Sequence, residues 1–412
     1  MNIRVEKACG IDVHKAFLSA TILTLNGTKA TKKFSTSLDG LLDLRTWITE
    51  NNCQRVAIES TGIYWIPTYT ILEGKVETIV ANPVQIKHIP GRKTDALDSE
   101  WIAEVCLNGQ IKPSYVPCKE IRDIRELTRT YMKLTQERTA HKNRIHKILQ
   151  RAGVRISGVL SDIFGKSGNI ILNGILNGKS IDQTFKEINN KRVKKKKEQV
   201  KEAIKGELSE NDIFVIKECL EAISFLNNQI TTFESRIFES LKEIRKELEI
   251  LMSIPGIGFI IASSALAEIG NINVFPKAKN LVSWSGLAPA INESAGKSSN
   301  GHITKQGNKF LRTILILAAN SAAIGKPTKL KLFYQRIKMR KGHKKAIVAL
   351  ARKLAVIIHH LLKFKEKYSE EEIKEKNVKF PKSITLQELD LDEIIELLCK
   401  AGYTINKSSL AG

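Results

Sequence analysis

ACGIDV at residues 8–13 begins the segment that decides the fold, and FLSATILTL at 17–25 and KKFSTS at 32–37 follow it. All three runs have the apolar and β-branched composition of strands, and together they predict an antiparallel meander. LLDLRTWITEN at 41–51 has the spacing of a helix. RVAIES at 55–60 then returns to the pattern of a buried strand.

The next stretch continues the alternation of helices and strands. IYWIPTYTILEG at 63–74 is expected to be helical from about Pro67, since proline suits a first helical turn. VETIVAN at 76–82 is a strand pattern, and DALDSEWIAEVCLNG at 95–109 has helical spacing with an Asn-Gly stop. A meander followed by alternating helix and strand is the element order of an RNase H-like fold, so we expect such an α/β domain over residues 1–118.

Four acids occupy special places in this domain: Asp12 and Glu59 at predicted strand ends, and Asp95 and Asp98 at the start of the last helix. The i, i+3 spacing puts both aspartates on one helix face. Converging carboxylates repel one another unless cations bind, and two Mg²⁺ (or Mn²⁺) ions would satisfy them and clamp the oxygens of a phosphodiester. The alternative is that each acid is a cap or a surface residue, and Asp95 after Thr94 is suited to a helix cap.

The chain is strongly basic, with 66 Lys plus Arg against 43 Asp plus Glu and a formal net charge of +23. This balance favours a polyanionic partner, with nucleic acid the first candidate and an anionic membrane surface the second. No apolar run is long enough for a transmembrane helix, and the N-terminus lacks the apolar stretch of a signal peptide. Scattered cysteines without a CxxC pair argue for reduced thiols in a cytoplasmic protein.

Beyond the first domain the predicted structure is mostly helical. Residues 119–151 form an amphipathic pattern with a possible coiled-coil seam, and 182–250 are again helical and highly charged. Together they predict a helical linker over 119–250. A mainly helical domain is expected over 251–365, followed by a charged extension over 366–412 with one helix at LDEIIELLCKAG.

IPGIG at 254–258 is similar to the hairpin of a helix-hairpin-helix motif. Gly256 and Gly258 allow a tight turn whose backbone N–H groups can approach a phosphate. An ordinary glycine turn between core helices is the competing interpretation. Lys and Arg at 326–353 are expected to contact a phosphate backbone, whereas Tyr334 lacks the Arg-His-Arg set of a tyrosine-recombinase nucleophile.

Residues 283–308 predict a long polar loop rich in Ser, Gly and Asn. A hydroxyl nucleophile needs an exposed serine and nearby positive charge to hold a phosphate. The loop offers three serines with three lysines close by: Ser294, Ser298 and Ser299, and Lys297, Lys305 and Lys309. Most serines in polar loops are turn residues, so these patterns alone do not select a nucleophile.

Six segments occur together, in order and with plausible spacing: GIDVHK, AIESTGIYW, GRKTDALDSEWIAE, IPGIG, GLAPAINESAGKSSNGHITKQGN and FLRTILILAA. Over roughly residues 5–360 the chain closely resembles an IS110-family transposase. These are insertion-sequence recombinases guided by a structured bridge RNA. The joint occurrence is far more specific than any one motif.

The resemblance implies a RuvC-like (RNase H fold) domain with a metal-binding catalytic tetrad and a C-terminal transposase domain with a catalytic serine. The tetrad falls on Asp12, Glu59, Asp95 and Asp98. The serine best matches Ser294, with Ser298 and Ser299 as alternative alignments. The amphipathic linker would assemble homodimers and tetramers.

The resemblance further implies that tetrad-bound metal and Ser294 act on one scissile phosphate and form a phosphoserine–DNA link. Bridge RNA would specify donor and target DNA by base pairing, in the nucleoid of a bacterium or archaeon. Nucleic-acid contacts are expected at Arg92, Lys93, Gly256, Gly258, Lys297, Lys305, Lys309 and Arg312. Two other functions stay open: a metal-dependent endonuclease of the Holliday-junction type without a serine nucleophile, and a non-catalytic nucleic-acid-binding protein.

Overall fold

The computed structural model of the protein describes residues 4–60, 62–83, 98–294 and 297–370, with backbone alone at 291–294 and 297–301. The chain forms two compact units, residues 1–122 and 123–412. The helix predicted at LDEIIELLCKAG lies outside the described residues. No helix in the described ranges combines the length and the apolar character needed to cross a membrane.

A five-stranded sheet forms the centre of the first unit. Its strands are β1 (Lys7–Val13), β2 (Phe17–Thr24), β3 (Lys29–Ser35), β4 (Arg55–Glu59) and β5 (Glu77–Ala81). They lie in the order β3-β2-β1-β4-β5; β1, β2 and β3 are antiparallel, and β4 and β5 continue parallel to β1. The predicted meander and the two later strands are confirmed.

Helices cover both faces of this sheet: α1 (Leu38–Glu50), α2 (Trp65–Leu72) and α3 (Asp98–Leu107). Alternate residues of β1, such as Cys9 and Ile11, pack with α1 and α2. The small side chains on the other face, such as Ala8 and Ala57, pack with α3. Helix α2 begins slightly before the expected Pro67.

Gly10 lets α3 lie directly on β1. A Cβ atom at this position would stand 2.2 Å from the backbone nitrogen of Ala103 and 2.3 Å from the carbonyl oxygen of Ser99. Any side chain would therefore push the helix away from the strand. This close approach brings the start of α3 to the strand that carries Asp12.

Two long helices run antiparallel in the second unit: α4 (Lys119–Arg151), whose first turn belongs to the first unit, and α10 (Glu210–Ser240). Side-chain contacts recur along the pair, at Tyr131–Glu234, Arg138–Asn227, Arg144–Cys219 and Arg151–Asp212. Residue numbers rise along one helix as they fall along the other, so the apolar seam predicted in 119–151 faces a helix of the same chain.

Short helices connect the far ends of this pair: α5 (Ile156–Val159), α6 (Lys166–Leu176), α7 (Ile181–Lys186), α8 (Lys191–Lys194) and α9 (Lys197–Ala203). They share an apolar core with the ends of α4 and α10. The prediction of helix over 182–250 is right in type but wrong in continuity. Asn190 and Ser209 each cap a new helix with their side chains, because Asn and Ser compete for backbone N–H groups.

The remaining helices are α11 (Arg245–Met252), α12 (Phe259–Ile269), α13 (Ala278–Trp284), α14 (Lys309–Ile324) and α15 (Lys329–Phe364). Between α13 and α14 the chain forms two antiparallel strands, β6 (Pro289–Ser294) and β7 (Lys297–Ile303). The expectation of a long polar loop is therefore wrong here. These strands were not predicted because their residues are mostly polar. The apolar alternation that indicates a strand arises only where one face of the strand is buried.

Candidate functional site

Asp12 and Glu59 lie on neighbouring strands at the same edge of the sheet. Ile11 pairs with Ile58 in the parallel ladder between β1 and β4, so the next residues, Asp12 and Glu59, follow at one level. Because register partners point to the same face of a sheet, both carboxylates are on the face covered by α3. Each residue is buried, with 8% of its surface exposed.

The first turn of α3 is attached beside Asp12. The Ser99 hydroxyl hydrogen-bonds to that of Thr21 at 2.8 Å and to that of Ser19 at 3.2 Å. Ser19 is the β2 register partner of Asp12. Asp98 immediately precedes Ser99 and begins the helix. We call Asp12, Glu59 and Asp98 the acidic edge.

His14 lies beside the acidic edge. Its Nε2 atom lies 2.9 Å from Oδ2 of Asp12, while about half of the side chain remains exposed to solvent. The sequence pattern alone did not identify His14 as a neighbour of the predicted acids. The i, i+2 spacing from Asp12 was the available signal, since it places both side chains on one side of an extended chain.

The fourth predicted acid, Asp95, lies outside the described residues, as do Arg92 and Lys93. Within the described ranges, no group of three or more His, Cys, Asp or Glu side chains is arranged to hold a metal ion. At the acidic edge, Asp12 and Glu59 supply the oxygen donors on the sheet, and Asp98 lies at the start of the adjacent helix.

The three candidate serines lie on the two-stranded element of the second unit, which we call the serine hairpin (residues 289–303). Ser294 ends β6 and pairs with Lys297 at the start of β7. Ser298 and Ser299 follow on β7, opposite Glu293 and Asn292. Ser294 thus directly precedes the two residues, 295 and 296, that connect the strands and lie outside the described ranges.

Two glycines and an arginine form the root of the serine hairpin. Gly286 (φ +68°) and Gly307 (φ +111°) occupy backbone conformations that other residues rarely adopt, and a Cβ on Gly307 would stand 2.2 Å from the Trp284 carbonyl oxygen. Arg312 Nη1 donates to the carbonyl oxygen of Lys305 at 2.9 Å. Arg312, predicted to contact nucleic acid, therefore has a structural role that the sequence did not reveal.

A buried carboxylate lies behind this root. Glu268 of α12 is 1% exposed, and its oxygens accept hydrogen bonds from Arg129 at 2.7 and 2.9 Å and from Asn308 at 2.6 Å. Arg125 Nε lies 3.5 Å from the same carboxylate. Sequence reasoning missed this network. The signal was a lone acid in the apolar helix FIIASSALAEI, because a buried charge requires partners.

The glycine turn between α11 and α12 is tight, as expected. Gly256 has φ +91°, and a Cβ there would stand 2.5 Å from the backbone nitrogen of Ala322. Gly258 precedes α12 and has open space beside it. Packing against α14 therefore explains Gly256, and only Gly258 leaves room for a ligand.

Residues 294–365 contain no acidic residue, although Lys and Arg recur throughout. Their densest group is the basic bend (residues 338–345), where Gly342 interrupts α15 with φ +76° and every residue is exposed. Tyr334 is buried, and its hydroxyl hydrogen-bonds to Nδ1 of His343 at 2.8 Å. This burial agrees with the rejection of Tyr334 as a nucleophile.

Two family models match the chain. One is an IS110-type DEDD model described as a transposase, and it matches residues 9–153. The other is described as the transposase IS116/IS110/IS902 family and matches residues 248–335. The first match includes the acidic edge and the second includes the serine hairpin. The protein is therefore a transposase, which is an enzyme that cleaves and exchanges DNA strands.

Similar proteins agree with this class. The chain is 26% identical over 319 residues (76% of this chain, 79% of the relative) to the transposase for insertion sequence element IS1111A of Coxiella burnetii. It is 26% identical over 320 residues (74% and 83%) to a probable family 20 transposase of Pseudomonas aeruginosa. The pilin gene-inverting protein of Moraxella bovis is 28% identical over 156 residues (37% and 48%). The chain belongs to the IS110 family of transposases.

Proposed function

We propose that the protein cuts and exchanges DNA strands with two sets of groups, the tetrad Asp12, Glu59, Asp95 and Asp98 and the nucleophile Ser294. The observation that carries this proposal is the acidic edge. Asp12 and Glu59 are buried at one level of adjacent parallel strands, and Ser99 attaches the start of α3 beside them. Buried carboxylates placed side by side favour a cation-binding role over a surface role.

We propose that the first unit has a RuvC-like, RNase H-type fold. The strand order β3-β2-β1-β4-β5, with an antiparallel meander continued by two parallel strands, supports this assignment. The location of Asp12 on the central strand supports it as well. We also propose that the turn at Gly256 and Gly258 is the hairpin of a helix-hairpin-helix motif, since the open space beside Gly258 leaves room for a phosphate.

The tetrad would hold Mg²⁺ or Mn²⁺ through its carboxylate oxygens, the ligands that these hard cations prefer. The carboxylates of the buried residues Asp12 and Glu59 fit such a cation, and the half-exposed His14 ring beside Asp12 can orient that carboxylate. Bound metal would supply charge stabilisation at the scissile phosphate.

Ser294 would perform the covalent step. Its hydroxyl oxygen attacks phosphorus and forms a phosphoserine ester, while one P–O bond of the DNA backbone breaks and the leaving oxygen takes up a proton. A hydroxyl from another strand then attacks the same phosphorus, and the serine hydroxyl is regenerated. The number of phosphodiester bonds is conserved, so no external energy source is required. Lys305 and Lys309 are exposed near the root of the hairpin and would hold the phosphates.

The proposed partners are DNA and a bridge RNA, and the proposed assemblies are dimers and tetramers. The net charge of +23 with only 6% aromatic residues fits recognition of backbones rather than stacking on bases, as expected if bridge RNA selects donor and target DNA. Helices α4 and α10 would provide the surface for dimers and tetramers.

A denaturation-resistant protein–DNA adduct tests the serine step. Wild-type protein with DNA, guide RNA and Mg²⁺ should form the adduct, and Ser294→Ala should form none. Ser298→Ala and Ser299→Ala are matched controls on the opposite strand of the hairpin and should retain it. An adduct from the Ser294→Ala protein would overturn the assignment.

The alternative is a metal-dependent endonuclease of the Holliday-junction type. One observation favours it: all described members of the acidic edge belong to the first unit alone. In that case Asp12→Asn should abolish cleavage while Ser294→Ala leaves it intact. For the transposase, both substitutions should abolish strand exchange.

A further inference from the structure

We infer that Asn308 is a positioning residue for Ser294, and that the buried carboxylate of Glu268 holds Asn308 in place. The inference rests on the proposed function of Ser294. Asn308 caps α14 and lies outside the strands of the serine hairpin. It would act through the root of the serine hairpin.

Asn308 joins three helices by four hydrogen bonds. Its backbone nitrogen donates to the Trp284 carbonyl oxygen of α13 at 2.7 Å. Its side-chain oxygen caps α14 by accepting from the Leu311 nitrogen at 2.9 Å, and its carbonyl accepts from the Arg312 nitrogen at 3.2 Å. Its side-chain nitrogen donates to Glu268 of α12 at 2.6 Å. All the polar groups of this residue are therefore engaged.

Glu268 is a fixed anchor for this contact. Arg129 binds the carboxylate through two nitrogens, and the Phe310 ring lies 4.2 Å from the Arg129 guanidinium carbon. Arg125 donates to the carbonyl oxygens of Ala267 and Glu268 at 3.0 and 2.9 Å. A buried carboxylate with two arginine partners has little freedom to move, because any displacement would leave a charge uncompensated.

Backbone hydrogen bonds connect Asn308 to the strands. Lys305 donates to the Gly286 carbonyl oxygen at 3.2 Å, and Thr304 donates to that of Ala288 at 2.9 Å, immediately before the pairing of Pro289 with Ile303. From there β6 extends to Ser294. Within the described residues, β6 and β7 form a sheet only with each other, so the root determines the direction of the hairpin.

The hairpin acts as a lever. A strand of this length spans about 20 Å, so a rotation of about 5° at the root moves the tip by roughly 2 Å. A misplacement of about 1 Å of a reacting group can reduce a rate on the order of 10²-fold. The hydrogen bond between Glu268 and Asn308 is therefore expected to affect the rate of serine attack more than the affinity for DNA.

Asn308→Ser tests this inference. Serine is as good an N-cap as asparagine, so α14 keeps its cap, but the shorter side chain cannot reach Glu268. We expect the rate of adduct formation to fall at least tenfold at saturating DNA, with unchanged DNA affinity and with the protein still fully folded at the assay temperature. Asn190→Ser makes the same substitution at the remote N-cap of α8 and should leave the rate unaltered.

Asn308→Asp provides a second, stronger variant. The carboxylate can still cap α14, but it repels Glu268, so the rate should fall further than in Asn308→Ser. Wild-type rates in both variants would overturn the inference, as would a loss of rate matched by an equal loss of DNA affinity or by an equal loss of folded protein at the assay temperature. An active Ser294→Ala protein would instead contradict the proposed function, whatever the Asn308 variants do.

Discussion

The acidic edge and the serine hairpin place reactive groups in different ways. Asp12 and Glu59 occupy inner strands of a five-stranded sheet, and each of these strands pairs with a neighbour on both sides. Ser294 ends a strand in a two-stranded sheet that extends from a helical core. The geometry of the acidic edge therefore depends on the packing of α3 on the sheet. The position of Ser294 depends on the hydrogen bonds at the root of the hairpin.

Removing the charge behind the hairpin root should have the largest effect on stability. Glu268→Gln leaves Arg125 and Arg129 without their buried partner and is expected to cost about 3–5 kcal/mol. Chemical denaturation followed by circular dichroism measures it. Glu221→Gln, on the exposed face of α10, is the control and should stay within about 0.5 kcal/mol. Equal stability of the two variants would show that the buried Glu268 network does not stabilise the fold.

Pushing α3 off the sheet should have the next largest effect. Gly10→Ala places a methyl group against the Ala103 backbone and should destabilise the protein by about 1–3 kcal/mol. Cleavage of DNA should be lost as well, since Asp98 is displaced from Asp12. Gly158→Ala introduces the same methyl group into open space and is the control. Normal DNA cleavage by the Gly10→Ala protein would show that the packing of α3 on β1 does not position the acidic edge.

Neutralising the basic bend should weaken nucleic-acid binding and leave folding unchanged. In the test variant, glutamine replaces Lys338, Arg340, Lys341, Lys344 and Lys345. The slope of log affinity against log salt should become shallower by about 0.9 for each phosphate that the variant no longer neutralises. An equal change of charge in the connecting helices, at Lys191, Arg192, Lys194, Lys195 and Lys201, should alter the slope less. Identical slopes for both variants would mean that net charge alone controls binding.

The smallest effect is expected at the first turn of α4. Hydrogen bonding to Arg122 lowers the pKa of Glu73, so the ion pair contributes stability above the ordinary glutamate pKa and loses it as pH falls through the lowered value. Glu73→Gln should cost less than about 1 kcal/mol at pH 7, because solvent screens the pair. The difference from wild type should vanish in acid, as measured by denaturation at several pH values. A difference that persists in acid would exclude the ion pair as its cause.

Most of the sheet and the long helix α4 were predictable because their signals are local. Apolar β-branched runs marked β1 and β4, and regular apolar spacing marked α4. The serine hairpin was missed because its strands are polar. Their pairing depends on the root, where Gly286 and Gly307 adopt left-handed conformations.

The candidate site was predictable only as separate residues. The strand ends and the i, i+3 spacing identified acids, but the proximity of α3 to β1 depends on Gly10, whose importance is a property of the packed structure. Glu268 and Asn308 were not predicted either, because their importance also depends on the packed structure. Glu268 is a lone acid in an apolar helix, but its partners Arg129 and Asn308 lie far away in sequence, so the pattern alone did not identify the network.

The absence of acids from residues 294–365 has a consequence for how the protein responds to its ionic surroundings. Positive charges that share one segment repel each other in the folded state, and added ions screen that repulsion. The same ions compete with the protein for phosphates, because binding releases counterions. Rising ionic strength should therefore stabilise the free protein and weaken its binding to nucleic acid, so the salt concentration of greatest stability will be higher than that of greatest activity.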